Sequence, residues 1–403
     1  MRSRHVSHVV VIGAGFGGLK AVEELRARQP GVAITLVAPS PHFLYWPSLV
    51  WVPSGWREAE DLTVDVRDWL FRQRAAYHAA AVVAVRDGGR TVLTEAGTLT
   101  ADGLIIASGA TTPATVAGSE HAYAICGGID AARFIRDRLA ALAGGRLVLG
   151  FAANTAHPPA ARGTPVLELA FTLDEQLRRA RRRGRFRLDL LLPPGADAAA
   201  GAMAGLVRRL RARGVAVHPD RRVERFAADR VVTDRDAFAS DLTVFSPALS
   251  GPAWLALSDV PATASGHVAV DARARVEGLE RVYAVGDAAA FPGPAWQSKQ
   301  AHTAELQAET AARNLARELE GRTPRERVRH EVIHVVDGLG QGAFVYRDGR
   351  GEWALPPTRL GHYLKLGLEQ AALRRYAPRG QRPRARGAVP GAASGPGFPL
   401  PRL

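Results

Sequence analysis

The sequence predicts an α/β protein in which a second strand–turn–helix unit is set into a first. Three observations carry this. A buried strand, HVVVIGAG, runs into a glycine turn and the helical stretch FGGLKAVEELRAR near the start of the chain. A second such unit begins near Gly144: RLVLG, a long loop, PVLELAFTLDEQLRRARRR, then the strand RLDLLLPP. Finally, RVYAVGDAAAF and the helix QAHTAELQAETAARNLARELEG resume the first unit after the second has ended. Strand-length apolar runs alternating with helical periodicity are the pattern of a parallel sheet covered by helices.

The elements follow in order. Leu19, Val22 and Leu25 share one side of the first helix, and AITLVAP is the second strand. GLIIASGATT is a later strand ending in a Ser-Gly turn, and MAGLVRRLRARGVAVHP repeats helix then strand. Residues 1–118 and 244–320 are therefore expected to form a discontinuous first domain, with 119–243 as the inserted second. A smaller unit, 321–376, has two short strands, EVIHVV and GAFVYRD, and the helix TRLGHYLKLGLEQAALRRY. The tail, 377–403, is rich in Pro, Gly and Arg, carries no acidic residue, and is expected to be disordered.

The 403 residues suffice for two or three domains with a sizeable core. The net charge is +14, and only Lys20, Lys299 and Lys365 are lysines. A coding bias toward arginine is the main reading, with attraction to an anionic membrane surface as a contribution. No nucleic-acid-binding motif is present, so nucleic acid is not an expected partner. No apolar run approaches the roughly 18–20 residues that span a bilayer. The start runs straight into a strand, without a cleavable small-residue site. The expected location is cytoplasmic, peripheral on the cytoplasmic membrane at most. A single cysteine, Cys126, excludes an internal disulfide and an internal two-thiol redox cycle. No metal site is expected.

Gly13, Gly15 and Gly18 spell GxGxxG between a strand and a helix. The first permits the tight turn, the second lets backbone approach a pyrophosphate, and the third lets helix and strand pack closely. Phe16 and Gly17 belong to the same loop, whose helix N-terminus offers free N–H groups to phosphate. The second strand ends Val37-Ala38-Pro39, without the carboxylate that usually binds the adenosine ribose. Backbone groups or Ser40 are left for that contact. This favours FAD, which has many other anchors, over NAD. LIIASGA, with Ala107, Ser108 and Gly109, has the form of a strand-turn closing over the nucleotide. VYAVGDAAA, with Gly286 and Asp287, resembles the second FAD motif of two-dinucleotide flavoproteins, and the resemblance implies that Asp287 would bind the ribityl chain. Gly-Asp at a strand end is also an ordinary turn and helix cap. Three motifs in this order favour the cofactor reading, with Pro47, Ser48 and Val83 as further cofactor-binding positions.

The order GxGxxG, Ala-Ser-Gly, Gly-Asp resembles flavoproteins with two Rossmann-like, three-layer ββα dinucleotide-binding domains. HFLYWPSLVWVPSGWREAEDL, from His42 to Leu62, resembles the sulfide:quinone oxidoreductases more narrowly. So do the last amphipathic helix and Cys126 in YAICGGIDAA, at the place of that family's least essential cysteine. The resemblance covers most of residues 8–376. Type II NADH dehydrogenases share the architecture.

The resemblance implies two relay cysteines beside the flavin. Working back six residues from Glu168, the first falls on Arg162; working back three from Asp337, the second falls on His334. Guanidinium and imidazole cannot replace a thiolate nucleophile, so sulfide oxidation through a cysteine trisulfide is not expected. The resemblance also places Glu168 near flavin and acceptor, where quinone reduction consumes two protons. The other reading of Glu168 is favourable electrostatics at a helix N-terminus. His334 has two readings, a proton relay or a packed strand residue. Lys299, in WQSKQAH, matches a lysine segment that contacts the isoalloxazine and stabilises the reduced anion.

The second unit's loop, LVLGFAANTAHPPAARGTPVLELAF, keeps Gly150 but lacks the later glycines, and RLDLLLPP lacks a ribose-binding acid at its end. This domain is expected to bind no NAD(P). The arginines from Arg178 to Arg187 are expected to form a solvated helix face. On the last helix, residues 359–376, Leu360, Tyr363, Leu364, Leu368, Ala371 and Ala372 recur at helical spacing, with Arg359, Lys365, Arg374 and Arg375 as basic charge. That suits a membrane interface, or a helix packed on its own domain or on a second copy in a homodimer. Phe43, Tyr45, Trp46, Trp51 and Trp56 either shape a flavin and quinone pocket or belong to the core.

The expected function is an oxidoreductase passing electrons from an unidentified reductant through FAD to a quinone or another small acceptor. Catalysis would rest on Glu168, Lys299 and His334. NAD(P)H:quinone oxidation and a non-catalytic flavin-binding module are the alternatives.

Overall fold

The structure is a computed structural model that describes residues 6–114, 116–196 and 201–380. The first sheet has five parallel strands in the order Val282–Ala284, Gly103–Ile106, His8–Ile12, Ala33–Ala38, Ala75–Ala79. Its central strand is Val-rich and buried from Val9 to Ile12, as a strand covered on both faces must be. Helix α1 (Phe16–Arg28) buries Leu19, Val22 and Leu25, the predicted side. An antiparallel layer of Val82–Arg86, Thr91–Thr94 and Gly97–Thr100 adds Val85 and Val92 to the same core. The short helix α2 (Arg67–Arg72) lies beside the edge strand.

The second sheet repeats the plan after α3 (Ile129–Ala141). Its parallel order is Ala216–His218, Phe186–Leu191, Gly145–Phe151, Leu242–Ser246, with α4 (Gly163–Arg179) and α5 (Gly201–Ala212) between strands. Its antiparallel layer is Val223–Ala227, Arg230–Thr233 and Ala237–Ala239. One expected boundary moves. Leu242–Ser246 pairs with Gly145–Phe151, so the chain leaves the second sheet after Ser246 rather than at 244. Helix α6 (Ala301–Leu319) then packs on α1 through Ala308, Ala311, Ala312 and Leu315.

The C-terminal unit has three antiparallel strands, Val332–Asp337, Gly342–Asp348 and Gly351–Thr358, not two. The third carries Pro356 and Pro357, which disguise it as a loop. It is tolerated because it lies at an edge, where a missing N–H costs no ladder bond.

Helix α7 (Arg359–Tyr376) is amphipathic in an inverted sense. It buries His362, Lys365 and Glu369 and exposes Leu360, Tyr363, Leu364 and Leu368. Lys365, expected as a surface cation, is buried, and Arg375 is half-buried. Lys365 pairs with Glu168, and Arg375 pairs with Glu23 and Glu305. Ala377, assigned to the tail, is buried and donates its N–H to the Leu373 carbonyl at 3.0 Å. The rest of the expected disordered tail, 381–403, lies outside the described residues. Among the described residues no helix is long and apolar enough to cross a membrane.

Candidate functional site

The glycine loop sits at the C-terminal ends of the first sheet's strands. Gly13 has φ +107° and donates its N–H to the Val37 carbonyl at 2.8 Å. A Cβ there would overlap the Ala107 carbonyl, and one at Gly18 would overlap the Gly13 carbonyl. A Cβ on Gly17 would come within 3.0 Å of Val285. Above Gly15 the space is open, so the backbone is bare where a pyrophosphate would approach. The loop thus holds Gly13, Gly15, Phe16, Gly17 and Gly18 against Ala107, Ser108, Gly109 and the Gly286 turn.

The Phe16 ring lies 5.7 Å from Tyr45 and 4.8 Å from Phe43. This seats the 3₁₀ turn Trp46–Trp51, with Pro47 and Ser48, next to the loop. The Ser48 and Ser108 hydroxyls are buried without a partner. Buried hydroxyls rarely stay unpaired, so these atoms suit a polar ligand laid along the glycine loop. Val83 stays outside this group, 39% exposed on the antiparallel layer. Ser40 is bonded to His42 at 2.6 Å. Phe43, Tyr45 and Trp51 are core, whereas Trp46 is exposed.

At the second motif, Gly286 (φ +68°) gives its N–H to the Gln307 side chain at 2.7 Å. Lys299 is held at this turn. Its ammonium donates to the backbone carbonyls of Asp287 (3.0 Å) and Ala289 (2.6 Å) and also reaches that of Gly286. It braces this turn. Burial lowers its pKa to about 8.

Arg162 stands at the N-cap position of α4. Its guanidinium pairs with the Asp287 carboxylate and donates to the Lys299 carbonyl at 2.9 Å. The Cys126 thiol stands beside Arg162 and Ser246, and burial raises its pKa. The Gln300 amide pairs with the Ile333 backbone at 2.8 and 3.2 Å, which brings His334 to the same corner as Arg162.

The second unit's loop is filled by its own residues. The Phe151 ring covers Gly163, where a Cβ would meet it at 2.7 Å. The Asn154 side chain accepts from the His157 N–H at 2.9 Å, and Ala160 accepts from Leu249 at 3.0 Å. The His157 and His267 rings lie 4.6 Å apart. Burial, then the Lys299 charge, lowers them to about 4 and about 3, so both are neutral at pH 7. Most of the arginines from Arg178 to Arg187 are exposed, as expected, and some of them also reach inward partners. Arg178, Arg183 and Arg213 converge on the fully buried Asp174, and Arg179 pairs with Glu175. A buried carboxylate needs such partners.

Glu168 lies inside α4 rather than in its first turn, so helix-terminus electrostatics does not explain it. It is buried. Its Oε1 accepts the Asp337 N–H at 2.9 Å and pairs with Lys365 of α7. Burial outweighs the lysine and raises its pKa to about 7. Asp337 Oδ1 accepts from the Leu339 N–H at 2.7 Å, and Oδ2 bonds His362 Nδ1 at 2.7 Å. Glu369 pairs with Arg57 at 2.9 Å, and the Lys365 ammonium sits 4.7 Å from the Trp51 ring. Burial holds His334 at about 4, against Glu352 and with the Lys365 charge.

Sequence reasoning missed Lys365, Asp337 and His362 as site residues. The signal was available in the helix, where 362, 365 and 369 share the face opposite Leu360, Leu364 and Leu368.

Residues 7–150 match the model of the family described as "Pyridine nucleotide-disulphide oxidoreductase". The sulfide-quinone reductase of Aquifex aeolicus (strain VF5) is 33% identical over 114 residues. That stretch is 28% of this chain, and the chain spans about a quarter (26%) of that curated relative's length. The X-ray structure of the sulfide:quinone oxidoreductase from Aquifex aeolicus superposes with a TM-score of 0.84 at 22% identity, covering 92% of this chain and 91% of that one. A ferredoxin reductase from Rhodopseudomonas palustris superposes with a TM-score of 0.66 at 19% identity, covering 84% and 82%. The chain therefore carries the two-dinucleotide-domain fold of the pyridine nucleotide-disulphide oxidoreductases and, among these proteins, resembles sulfide:quinone oxidoreductase.

Proposed function

We propose that the protein is an FAD-dependent oxidoreductase that delivers electrons to a quinone-class acceptor, without a cysteine relay. The observation that carries the acceptor half is the buried Glu168–Lys365 pair behind the outward apolar face of α7. FAD would be held by the Gly13–Gly18 loop, Ser48, Ser108, Gly109 and the Gly286–Asp287 turn, and it supplies two-electron transfer when bound. Glu168 and Lys365 then hold protons where a quinone needs two. A carboxyl with a pKa near 7 is half protonated at neutral pH, so it both gives and recovers a proton readily.

The relay positions bear on the donor. Arg162 is locked to Asp287, and His334 is an imidazole, so neither carries sulfur. The self-packed loop at His157 and Phe151 argues against NAD(P)H in the second unit. Anaerobic mixing of the yellow protein with sulfide and with NADH is expected to leave the flavin oxidised over seconds, while dithionite bleaches it. Rapid bleaching by NADH would favour a type II NADH dehydrogenase activity; rapid bleaching by sulfide would sink the relay argument.

The acceptor's solubility in lipid calls for contact with a bilayer. Leu360, Tyr363, Leu364 and Leu368 form an exposed stripe, continued by Trp353 and Leu355 of the neighbouring edge strand. An apolar stripe of this kind fits an interfacial helix. Leu364→Asp with Leu368→Asp should cut co-sedimentation with anionic vesicles severalfold and leave the melting temperature unchanged, since both residues are exposed. Equal sedimentation of variant and wild type would remove the membrane contact.

A further inference from the structure

Helix α7 turns three polar residues inward, and each meets a different element. His362 bonds Asp337 on the strand Val332–Asp337, Lys365 pairs with Glu168 of α4, and Glu369 pairs with Arg57 of the first domain. The Glu168–Lys365 pair is absorbed by the proposed function; the His362–Asp337 pair is not.

Asp337 has two roles at once. Its backbone N–H binds Glu168 Oε1, while its carboxylate, closed on one side by the Leu339 N–H, receives His362 Nδ1. A second carboxylate so near Glu168 makes ionisation of Glu168 harder, and a partner on that carboxylate relieves this. His362 is buried among Trp51, Trp56 and Tyr363, with ring centroids 6.0, 5.7 and 5.7 Å away, so its ring has little freedom to leave Asp337. The charged and titratable groups around the cluster are Tyr363, Lys365 and Glu369 from α7, Asp337 and His334 from the strand, Arg57 from the loop after the 3₁₀ turn Trp46–Trp51, and Tyr45.

We propose that His362 is a positioning residue for Glu168, acting through Asp337: it holds the Asp337 carboxylate and thereby sets how readily Glu168 gives up its proton. This rests on the proposed role of Glu168 only for its consequence in turnover. The geometry makes opposite demands on two variants. In H362F the Asp337 carboxylate loses its partner, and Glu168 should hold its proton to a pH about one unit higher. In D337N the backbone N–H remains but the charge is gone, and the midpoint should fall by about as much. H362Q, which keeps a donor toward Asp337, should lie between H362F and wild type.

The test is an infrared titration of the oxidised holoprotein, which reads the Glu168 carboxyl band directly, identified by its loss in E168Q. The same variants are then followed by the pH dependence of oxidation of the dithionite-reduced protein by a soluble benzoquinone. Midpoints moving in opposite directions for H362F and D337N support the positioning role. Unmoved midpoints, or both moving one way, overturn it. If the infrared midpoints move as expected while the oxidation rate ignores Glu168, the positioning role stands and the acceptor reading fails. Should H362F not fold, D337N and H362Q still decide, because their expected shifts differ in sign.

Discussion

Glu168→Gln is expected to slow quinone oxidation of the reduced protein about a hundredfold or more, the usual range for loss of a positioned acid or base. The glutamine keeps the shape and an acceptor for the Asp337 N–H, so the fold around α4 has no reason to collapse. What it loses is a proton that can be exchanged near neutral pH. The wild-type rate should fall as pH rises through about 7, because the protonated carboxyl is the donor and its fraction declines there. The E168Q rate should be low and flat across the same range. Lys365 would be left facing an amide, so E168Q/K365M serves as a control: it should regain stability without regaining rate. A variant that oxidises at wild-type speed would remove Glu168 from the chemistry.

Arg57→Met is expected to destabilise the protein by about 3–5 kcal/mol, the cost of stranding a buried charge. Arg57 and Glu369 are 2% and 0% exposed, and their pair ties α7 to the first domain. R57M/E369M should recover most of that loss, because two apolar side chains of similar volume can replace a buried ion pair without penalty. Chemical denaturation reads both numbers. A loss below about 1 kcal/mol for R57M, as for an exposed pair, would mean that Glu369 reaches solvent and that α7 is not anchored here.

The sheets were legible because their signals are local. HVVVIGAG, GLIIASG and VYAVGD each declare a buried strand and a turn within ten residues, and all three lie adjacent in one sheet. The edge strand with Pro356 and Pro357 was not legible, because its place at the edge is a tertiary fact. Lys365 was misread for a related reason. It looks like surface charge on a basic helix, but its partner, Glu168, is distant in sequence. Arg162 shows the same limit. Its register was read from the helix carboxylate, but its bond to Asp287 joins the two halves of the molecule. Glu168 was found, whereas its partners on the C-terminal strand and helix were not.

The central claim is that this protein hands electrons to a quinone under the control of Glu168. Stopped-flow mixing of dithionite-reduced protein with a soluble benzoquinone, across pH 5 to 9, tests it most directly. The oxidised flavin spectrum should return rapidly, more slowly as pH rises past about 7, and E168Q should lose that dependence. Slow oxidation by quinone at every pH, or a wild-type profile that E168Q leaves unchanged, would contradict it.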